Sequence, residues 1–345
     1  MSWLDADGDG DDEDDKYADY EARNRPNPKG NRARTKTRPD HSDAVTGRVL
    51  TVDRGRYTVL VGEGTAEEHE AISSRASELR KQPIVTGDRV DLVGDTTGDD
   101  GSLSRIVRIQ PRMTVLRRSA DDSDEVERII VANADQMLIV VAAANPEPRP
   151  RLVDRYLVAA FDAGIAPILC ITKTDLADPT EFLANFAGLE IRVVTSGLGA
   201  TPTDEITALL SGHSTVAVGH SGVGKSTLVN ALVPDANRAI GRVNTVTGRG
   251  RHTSSSTISY RVGHDGWIID TPGVRSFGLG HVNPENILRS FTDLAAIAED
   301  CPRGCTHLPD APDCALNERI NGEGELGDAG RLRLDSFQRM LTSLS

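Results

Sequence analysis

One short segment, residues 219–226, restricts the possible folds of this chain more than any other feature. Its sequence, GHSGVGKS, matches the pattern GxxxxGK followed by Ser or Thr, and it lies between an apolar run at 215–218 and a helix-like stretch at 227–232. A strand, a glycine-rich turn and the start of a helix, in this order, direct backbone N–H groups towards a phosphate. The segment therefore predicts a phosphate-binding loop in an α/β domain with a parallel sheet.

The residue types of this loop have distinct roles. Lys225 neutralises the terminal phosphates of a nucleotide, and the hydroxyl of Ser226 is a ligand for Mg²⁺. The sequence DTPG at 270–273 follows another apolar run and supplies a carboxylate for Mg²⁺, Asp270, and a backbone N–H for the terminal phosphate, Gly273. We expect the phosphates to lie against Gly219, His220, Ser221, Gly222, Val223, Gly224, Lys225, Ser226 and Thr227.

A third motif, TKTD at 172–175, closes the apolar run 166–171 and is similar to the NKxD element of GTPases. The carboxylate of Asp175 is able to accept hydrogen bonds from both N1–H and the 2-amino group of guanine, whereas adenine would leave it unpaired. The motif, with Lys173, therefore predicts binding of GTP rather than ATP. Thr172 stands where the element usually has Asn, and its shorter side chain predicts the loss of a contact to the base or to the phosphate loop.

The order of the motifs differs from that of ordinary GTPases, in which the phosphate loop comes first. Here the segments 172–175 and 194–196 both precede the phosphate loop, which indicates a circular permutation. The same sheet is able to form in a permuted chain, provided that the new termini lie at the surface.

Short strand-like segments with glycine-containing turns precede the α/β pattern, at 45–52, 56–61, 89–93 and 103–109. They predict an all-β barrel of OB type at 42–118, followed by the permuted domain at 119–281. Such a barrel is a common nucleic-acid platform, and a purely structural barrel is the open alternative. Because Tyr57 is its only aromatic residue, base stacking cannot dominate an RNA contact there.

Three of the four cysteines lie close together near the carboxyl terminus. Cys301, Cys305, His307 and Cys314 supply three thiolates and one imidazole, a closed tetrahedral set for structural zinc, with reduced thiols lacking metal as the alternative. The surrounding segment, 282–345, predicts a small α-helical zinc-binding domain.

Charge is distributed unevenly, although the net value of -13 alone argues against a nucleic-acid partner. Eight acidic residues lie between Asp5 and Asp15, and seven basic residues without an acid lie at 23–38. Residues 1–41 are therefore predicted to be a disordered tail, either solvated or an RNA-binding arm. The chain begins without a secretory signal, and its longest apolar run is too short to span a bilayer, so we expect a cytoplasmic protein without membrane contact.

From about residue 42 to the end, the chain resembles the RsgA (YjeQ) family of GTPases. The resemblance is carried by the permuted order, the preceding barrel, the sequence RGRHT at 249–253 and the cysteine cluster. The resemblance implies a monomeric GTPase that binds the small (30S) ribosomal subunit and its rRNA and acts in late subunit maturation. It implies GTP/GDP, Mg²⁺ and one structural Zn²⁺ as bound groups. It also implies Thr253 as the switch threonine that binds Mg²⁺, with the neighbouring residues Ser254 to Thr257 as open alternatives, and Thr195 with Ser196 as the loop behind the base. This chain has three residues between its first two clustered cysteines, where the family has four.

The position after Gly273, where many GTPases have a water-orienting Gln, is occupied by Val274. Its side chain forms no hydrogen bond, which predicts slow intrinsic hydrolysis. His252, next to Thr253, is the candidate for orienting the attacking water, with an rRNA contact or a loop cap as the alternative. Two other functions stay open, namely a GTP-gated RNA-binding module with incidental hydrolysis and a permuted GTPase of large-subunit assembly.

Overall fold

The computed structural model describes residues 41–119, 127–234, 257–272, 277, 279–321 and 327–344. The predicted tail therefore lies outside the described residues except for His41. Among the described helices, none is long and apolar enough to cross a membrane.

The first group of elements is a closed barrel of five strands. Its strands are β1 (Val45–Asp53), β2 (Arg56–Val61), β3 (His69–Arg75), β4 (Arg89–Gly94) and β5 (Ser104–Ile109). The order is β1-β2-β3-β5-β4, and β1 pairs again with β4, which closes the barrel. All of these pairs are antiparallel except β3 with β5. The predicted OB-type barrel is confirmed, and Tyr57 is buried in its core, so it has no exposed ring face for a base.

Strand β3 is absent from the sequence prediction because its sequence, HEAISSR, is mostly polar. Its buried residues are Ala71 and Ser73, which are small, and the Ser73 hydroxyl lies 2.6 Å from that of Ser104 on β5. A strand that buries such residues has no hydrophobic alternation for a pattern to detect.

His69, at the start of β3, is predicted to stabilise the barrel in a pH-dependent way. Its Nδ1 lies 2.7 Å from the carbonyl oxygen of Glu67 and its Nε2 lies 2.6 Å from that of Thr96. Both partners accept hydrogen bonds, so only the doubly protonated ring satisfies both, and these bonds raise the pKa of His69 above its ordinary value. The stabilisation is complete below the unfolded pKa of about 6.5 and is lost as pH rises through the higher folded pKa.

NMR titration of the folded protein is expected to give a pKa for His69 above that of an unstructured peptide. In His69→Gln, the stability difference between pH 6 and pH 8 should become smaller than in the parent. A folded-state pKa at or below the peptide value would contradict the two-acceptor geometry.

The second group is a strand hairpin followed by a six-stranded sheet. The hairpin consists of β6 (Val115–Ser119) and β7 (Glu127–Ala132). The sheet has the order β10-β9-β8-β11-β13-β12, in which every pair is parallel except β12 with β13. Its strands are β8 (Gln136–Ala142), β9 (Ala166–Thr172), β10 (Arg192–Thr195), β11 (Ser214–Val218), β12 (Ile258–Val262) and β13 (Gly266–Asp270).

Helices cover both faces of this sheet, as expected for parallel strands. They are α1 (Pro150–Asp162), α2 (Thr180–Ala184), α3 (Thr203–Leu210) and α4 (Lys225–Leu232). One face packs in a core with α1 and α2, and the opposite face packs in a core with α3 and α4. The predicted α/β domain is confirmed.

The third group consists of carboxyl-terminal helices that share a core with α1. They are α5 (Pro284–Arg289), α6 (Thr292–Ala298), α7 (Ala315–Asn321) and α8 (Gly327–Thr342). Phe291 stacks edge-on with Phe161 of α1 and also contacts Phe337 of α8. Buried Asp154 of α1 accepts from Arg339 of α8 at 2.9 Å, and burial raises the pKa of Asp154. The core is thus continuous across residue 281, where the sequence predicted a domain boundary.

Trp267 of β13 joins the barrel to the sheet. The indole packs in a buried cluster with Leu50 and Leu60 of the barrel. The guanidinium groups of Arg48 and Arg261 lie 4.9 and 4.6 Å from its ring centre. Such cation–π contacts contribute about 0.5–2 kcal/mol each. The barrel is therefore packed directly against the strand that ends at Asp270.

Candidate functional site

The segment 219–226 forms the loop after β11 and the first two residues of α4, and the backbone of the loop requires glycine. A Cβ on Gly219 would lie 2.5 Å from the carbonyl oxygen of Val140 on β8. Gly222 and Gly224 have φ values of 82° and 93°, which other residues rarely adopt. The loop and its surroundings line a cavity of about 550 Å³, and the lining residues are Lys173, Gly219, His220, Ser221, Gly222, Gly224, Lys225, Ser226, Thr227 and Pro272.

Lys225 and Asp270 meet at the carboxyl edge of the sheet. Asp270 ends β13 and is in register with Ala217 of the neighbouring β11, which leads into the loop. The ammonium group of Lys225 forms an ion pair with the carboxylate of Asp270. Ser226 follows Lys225 in the first turn of α4. A hydroxyl and a carboxylate at this edge are oxygen donors of the kind that Mg²⁺ prefers.

Thr172 connects the base-reading segment to the phosphate loop. Its hydroxyl, buried at the end of β9, lies within hydrogen-bonding distance of the carbonyl oxygen of Val223 in the loop and 3.2 Å from that of Val141. A hydroxyl has one proton, so it donates to one of these oxygens at a time. The shorter side chain therefore keeps a contact to the phosphate loop, which rules out one of the two alternatives for the expected loss.

Lys173 crosses from the same segment to the phosphate loop. Its ammonium group donates to the carbonyl oxygen of Gly222 at 2.8 Å and also to that of Asn145 after β8. Residue 173 has a positive φ of 56°, which turns the chain sharply at the end of β9. Lys173 thus lines the cavity beside the phosphate loop.

Asp175 is held by the loop that follows β10. One carboxylate oxygen accepts from the backbone N–H of Leu198 at 2.8 Å. Thr195 is in register with Ile171 of β9, and the N–H of Ser196 donates to the carbonyl oxygen of Ile171 at 2.8 Å. The segments 172–175 and 195–196, which are 20 residues apart, are therefore adjacent in the fold. Each carboxylate oxygen has two lone pairs, so Asp175 keeps acceptor capacity for a base.

Two contributors to this site were missed by the sequence analysis. They are the carbonyl oxygen of Asn145 and the N–H of Leu198, and both are backbone groups. The position of Asn145 after the central strand β8 is a usable signal, because ligands of open α/β sheets bind beyond the carboxyl ends of the strands. The contact of the Leu198 N–H could not be predicted in this way, because a backbone N–H does not depend on the type of side chain.

Cys301, Cys305, His307 and Cys314 form the second candidate centre, between α6 and the start of α7. One ligand atom from each lies within 4.8 Å of the others. The Sγ atoms of Cys301 and Cys314 are 4.0 Å apart and lie 3.6 and 3.8 Å from Nδ1 of His307. Tetrahedral zinc with ordinary bond lengths separates such atoms by roughly 3.5–3.8 Å. The donor set and its spacing therefore fit a structural zinc ion, including the shorter interval between the first two cysteines.

Groups around the cluster orient its ligands. Burial lowers the pKa of His307, which favours the neutral imidazole that a metal requires. Gln338 of α8 donates to the carbonyl oxygen of His307 at 2.9 Å and to the amide oxygen of Asn317 at 2.8 Å. The centres of the Phe337 and His307 rings are 6.2 Å apart. The cluster is thus attached to the core that α8 shares with α1.

Three predicted site residues, His252, Thr253 and Gly273, lie outside the described residues. Val274, at the position where many GTPases have a water-orienting Gln, lies outside them as well. Their predicted roles stay predictions.

Comparisons with known proteins agree with this geometry. A family model described as RsgA GTPase matches residues 109–280. The small ribosomal subunit biogenesis GTPase RsgA of Chromohalobacter salexigens is 34% identical over 315 residues, which cover 89% of this chain and 88% of that protein. The protein of the same name from Pseudomonas aeruginosa strain LESB58 is 36% identical over 269 residues, which cover 76% of each chain.

Two solved structures share the fold. YjeQ from Thermotoga maritima superposes with a TM-score of 0.63 at 24% identity and covers 87% of this chain and 98% of that chain. YloQ, described as a circularly permuted GTPase, superposes with a TM-score of 0.61 at 24% identity and covers 88% of this chain and 96% of that chain.

This chain has the features of the circularly permuted GTPases. Its TKTD segment precedes the phosphate loop in the chain but contacts it in the fold, and a barrel precedes both. Such an enzyme binds guanine nucleotide and hydrolyses GTP. With relatives of more than 30% identity along most of its length, this chain belongs to the RsgA GTPase family.

Proposed function

We propose that this protein is a monomeric, cytoplasmic GTPase that binds the small ribosomal subunit with GTP, acts in its late maturation and leaves after hydrolysis. The main support is the contact of the TKTD segment with the phosphate loop through Thr172 and Lys173, in a chain whose relatives are named for small-subunit biogenesis. This contact brings a guanine-selective carboxylate and a phosphate cradle into one site.

We assign the following roles to residues that the structure describes and to Thr253, which lies outside them. Asp175 accepts from the guanine base, with the 195–196 loop behind it, and the loop at 219–227 binds the phosphates. Lys225 exchanges its ion pair with Asp270 for the terminal phosphates. Bound Mg²⁺ would neutralise phosphate charge, and Ser226, Asp270 and, in the GTP state, Thr253 would hold it.

Hydrolysis is assigned to groups around the terminal phosphate. The N–H of Gly273 stabilises the phosphoryl group, and the ring of His252 orients the attacking water where Val274 is unable to. The zinc ligands have no open coordination position, so their role is structural. A partner that positions His252 beside the attacking water would accelerate the reaction.

The decisive experiment is multiple-turnover GTP hydrolysis with purified ribosomal subunits. We expect small subunits alone to accelerate turnover, and we expect His252→Ala to keep GTP affinity and subunit binding while losing most of the stimulated rate, about a hundredfold. Acceleration by large subunits alone would favour large-subunit assembly, and nucleotide-dependent RNA binding without any acceleration would favour the RNA-binding module. Normal stimulation of His252→Ala would remove His252 from catalysis.

A further inference from the structure

Thr271 follows the last residue of β13 and attaches the end of this strand to β11. It is 1% exposed, and its hydroxyl donates to the carbonyl oxygen of Ala217 at 2.8 Å. The last residue of β13 in register with β11 is Asp270, and Pro272 has no N–H with which to continue the ladder. The side chain of Thr271 therefore supplies a hydrogen bond to β11 beyond the paired part of the strand.

The acceptor of this hydrogen bond lies directly before the phosphate loop. Ala217 is fully buried on β11 and is in register with Asp270. Two residues later the loop begins at Gly219, where even a Cβ would lie 2.5 Å from the carbonyl oxygen of Val140. A strand end packed this closely has little room to shift. The hydroxyl of Thr271 is thus bonded to an acceptor whose position is fixed relative to the loop.

The carboxylate of Asp270 lies beside the end of the phosphate loop. It forms an ion pair with the ammonium group of Lys225, and 21% of the Asp270 side chain and 11% of the Lys225 side chain are exposed. Ser226, the proposed hydroxyl ligand for Mg²⁺, is the next residue of α4. Because Mg²⁺ demands near-octahedral geometry with short bonds to oxygen, the separation of the Ser226 and Asp270 oxygens is critical for its binding.

We propose that Thr271 is a positioning residue for the magnesium site. Its hydrogen bond to Ala217 fixes Asp270 relative to the phosphate loop, so that Asp270 and Ser226 hold the same ion. The inference rests on the proposed role of Asp270 as a magnesium ligand. Without the hydroxyl, the buried carbonyl oxygen of Ala217 loses this donor, and the end of β13 has to reorganise.

The test measures how much Mg²⁺ strengthens the binding of GDP to the full chain. The affinity for a fluorescent GDP is determined in excess Mg²⁺ and in excess EDTA, and the ratio of the two affinities is called here the magnesium gain. By linkage, this ratio also reports how much GDP strengthens the binding of Mg²⁺. GDP is used because the proposed contact of Thr253 belongs to the GTP state.

Thr271→Val removes the hydroxyl and keeps the branched shape of the side chain. We expect its magnesium gain to be about tenfold smaller than that of the parent, because small displacements of positioned groups are costly. Its GDP affinity in EDTA should equal the parent value, since the base segment and the phosphate loop are unchanged. Thr271→Ser keeps the hydroxyl and should restore most of the magnesium gain.

A double-mutant cycle tests whether Thr271 acts through Asp270. Asp270→Asn should reduce the magnesium gain without abolishing it, because Ser226 remains. Adding Thr271→Val to Asp270→Asn should then cause no further loss. A merely structural role of Thr271 would lower the gain by the same factor with or without the carboxylate.

Thr215→Val is the matched control. Thr215 is fully buried near the other end of β11, and its hydroxyl donates to the side-chain oxygen of Gln136 at 3.0 Å. The variant therefore loses a buried hydroxyl from the same strand without changing the attachment of β13 at Thr271. Its magnesium gain should equal that of the parent.

Each other outcome overturns the inference, and the variants show which assignment has failed. A parent-like gain in Thr271→Val, an equal loss in Thr271→Ser or Thr215→Val, a loss of GDP affinity in EDTA, or a further loss in the double variant contradicts the role of Thr271 alone. A parent-like gain in Asp270→Asn instead removes Asp270 from the magnesium site, and the inference then fails together with that proposed role. Ribosomal subunits take no part in these measurements, so the proposed action on the small subunit is tested separately.

Discussion

Replacing Asp175 by Asn should lower the affinity for GTP by roughly a hundredfold or more and move the preference towards xanthine nucleotides. An amide offers one acceptor and one donor, so its NH₂ group would face the 2-amino group of guanine. Xanthine has a carbonyl oxygen at that position and matches the amide. Competition of GTP, ATP and XTP against a fluorescent guanine nucleotide measures the change.

Asp178→Asn is the matched control for this prediction. Asp178 is three residues further along the same loop, and its carboxylate accepts from the N–H of Thr180 at 3.0 Å and from its hydroxyl at 2.6 Å. An Asn side chain is able to make the same contacts at the start of α2. GTP affinity should therefore be unchanged in Asp178→Asn, and unchanged affinity in Asp175→Asn would remove Asp175 from the base site.

Replacing Cys305 by Ala should remove bound zinc and make the carboxyl-terminal helices sensitive to protease. The sequence alone predicts that the GTPase domain then stays folded. The shared core of α1, α5, α6 and α8 adds a further expectation, namely a fall of about 5 °C or more in the unfolding midpoint of the GTPase domain. Metal analysis, limited proteolysis and thermal unfolding measure the three effects.

Cys170→Ala provides the comparison for this experiment. Cys170 is a buried core thiol on β9, and burial raises its pKa to about 12. The variant loses a thiol but keeps all four residues of the Cys3His cluster, so its zinc content should be unchanged. A native protein that lacks zinc and still protects its last helices from protease would refute the structural role of the metal.

The parts of the site that depend on local sequence were predictable. The strand, the glycine loop and the helix at 214–232 are adjacent in the chain, so residue types and spacing were sufficient. The permuted order of the motifs was equally predictable, because it is a property of the sequence alone. The barrel was predictable as a class from its apolar strands, although the polar β3 was absent from the prediction.

The features that the sequence did not predict depend on contacts between residues that are far apart in the chain. The sequence shows that Thr172 is shorter than Asn, but it does not show that Val223 lies close enough to accept from it. The short strands β10 and β12 carry weak patterns and exist because their neighbours in the sheet supply hydrogen bonds. The core across residue 281 forms from aromatic residues that are far apart in sequence, such as Phe161 and Phe291.

The pairing of Thr51 on β1 with Ile258 on β12 gives the barrel a protective role. Strand β12 forms one end of the six-stranded sheet, and an unpaired edge of that kind is a template for association with other chains. The barrel covers this edge and buries Trp267 beside it. A GTPase domain produced without its barrel would expose both, so we expect such a domain to self-associate.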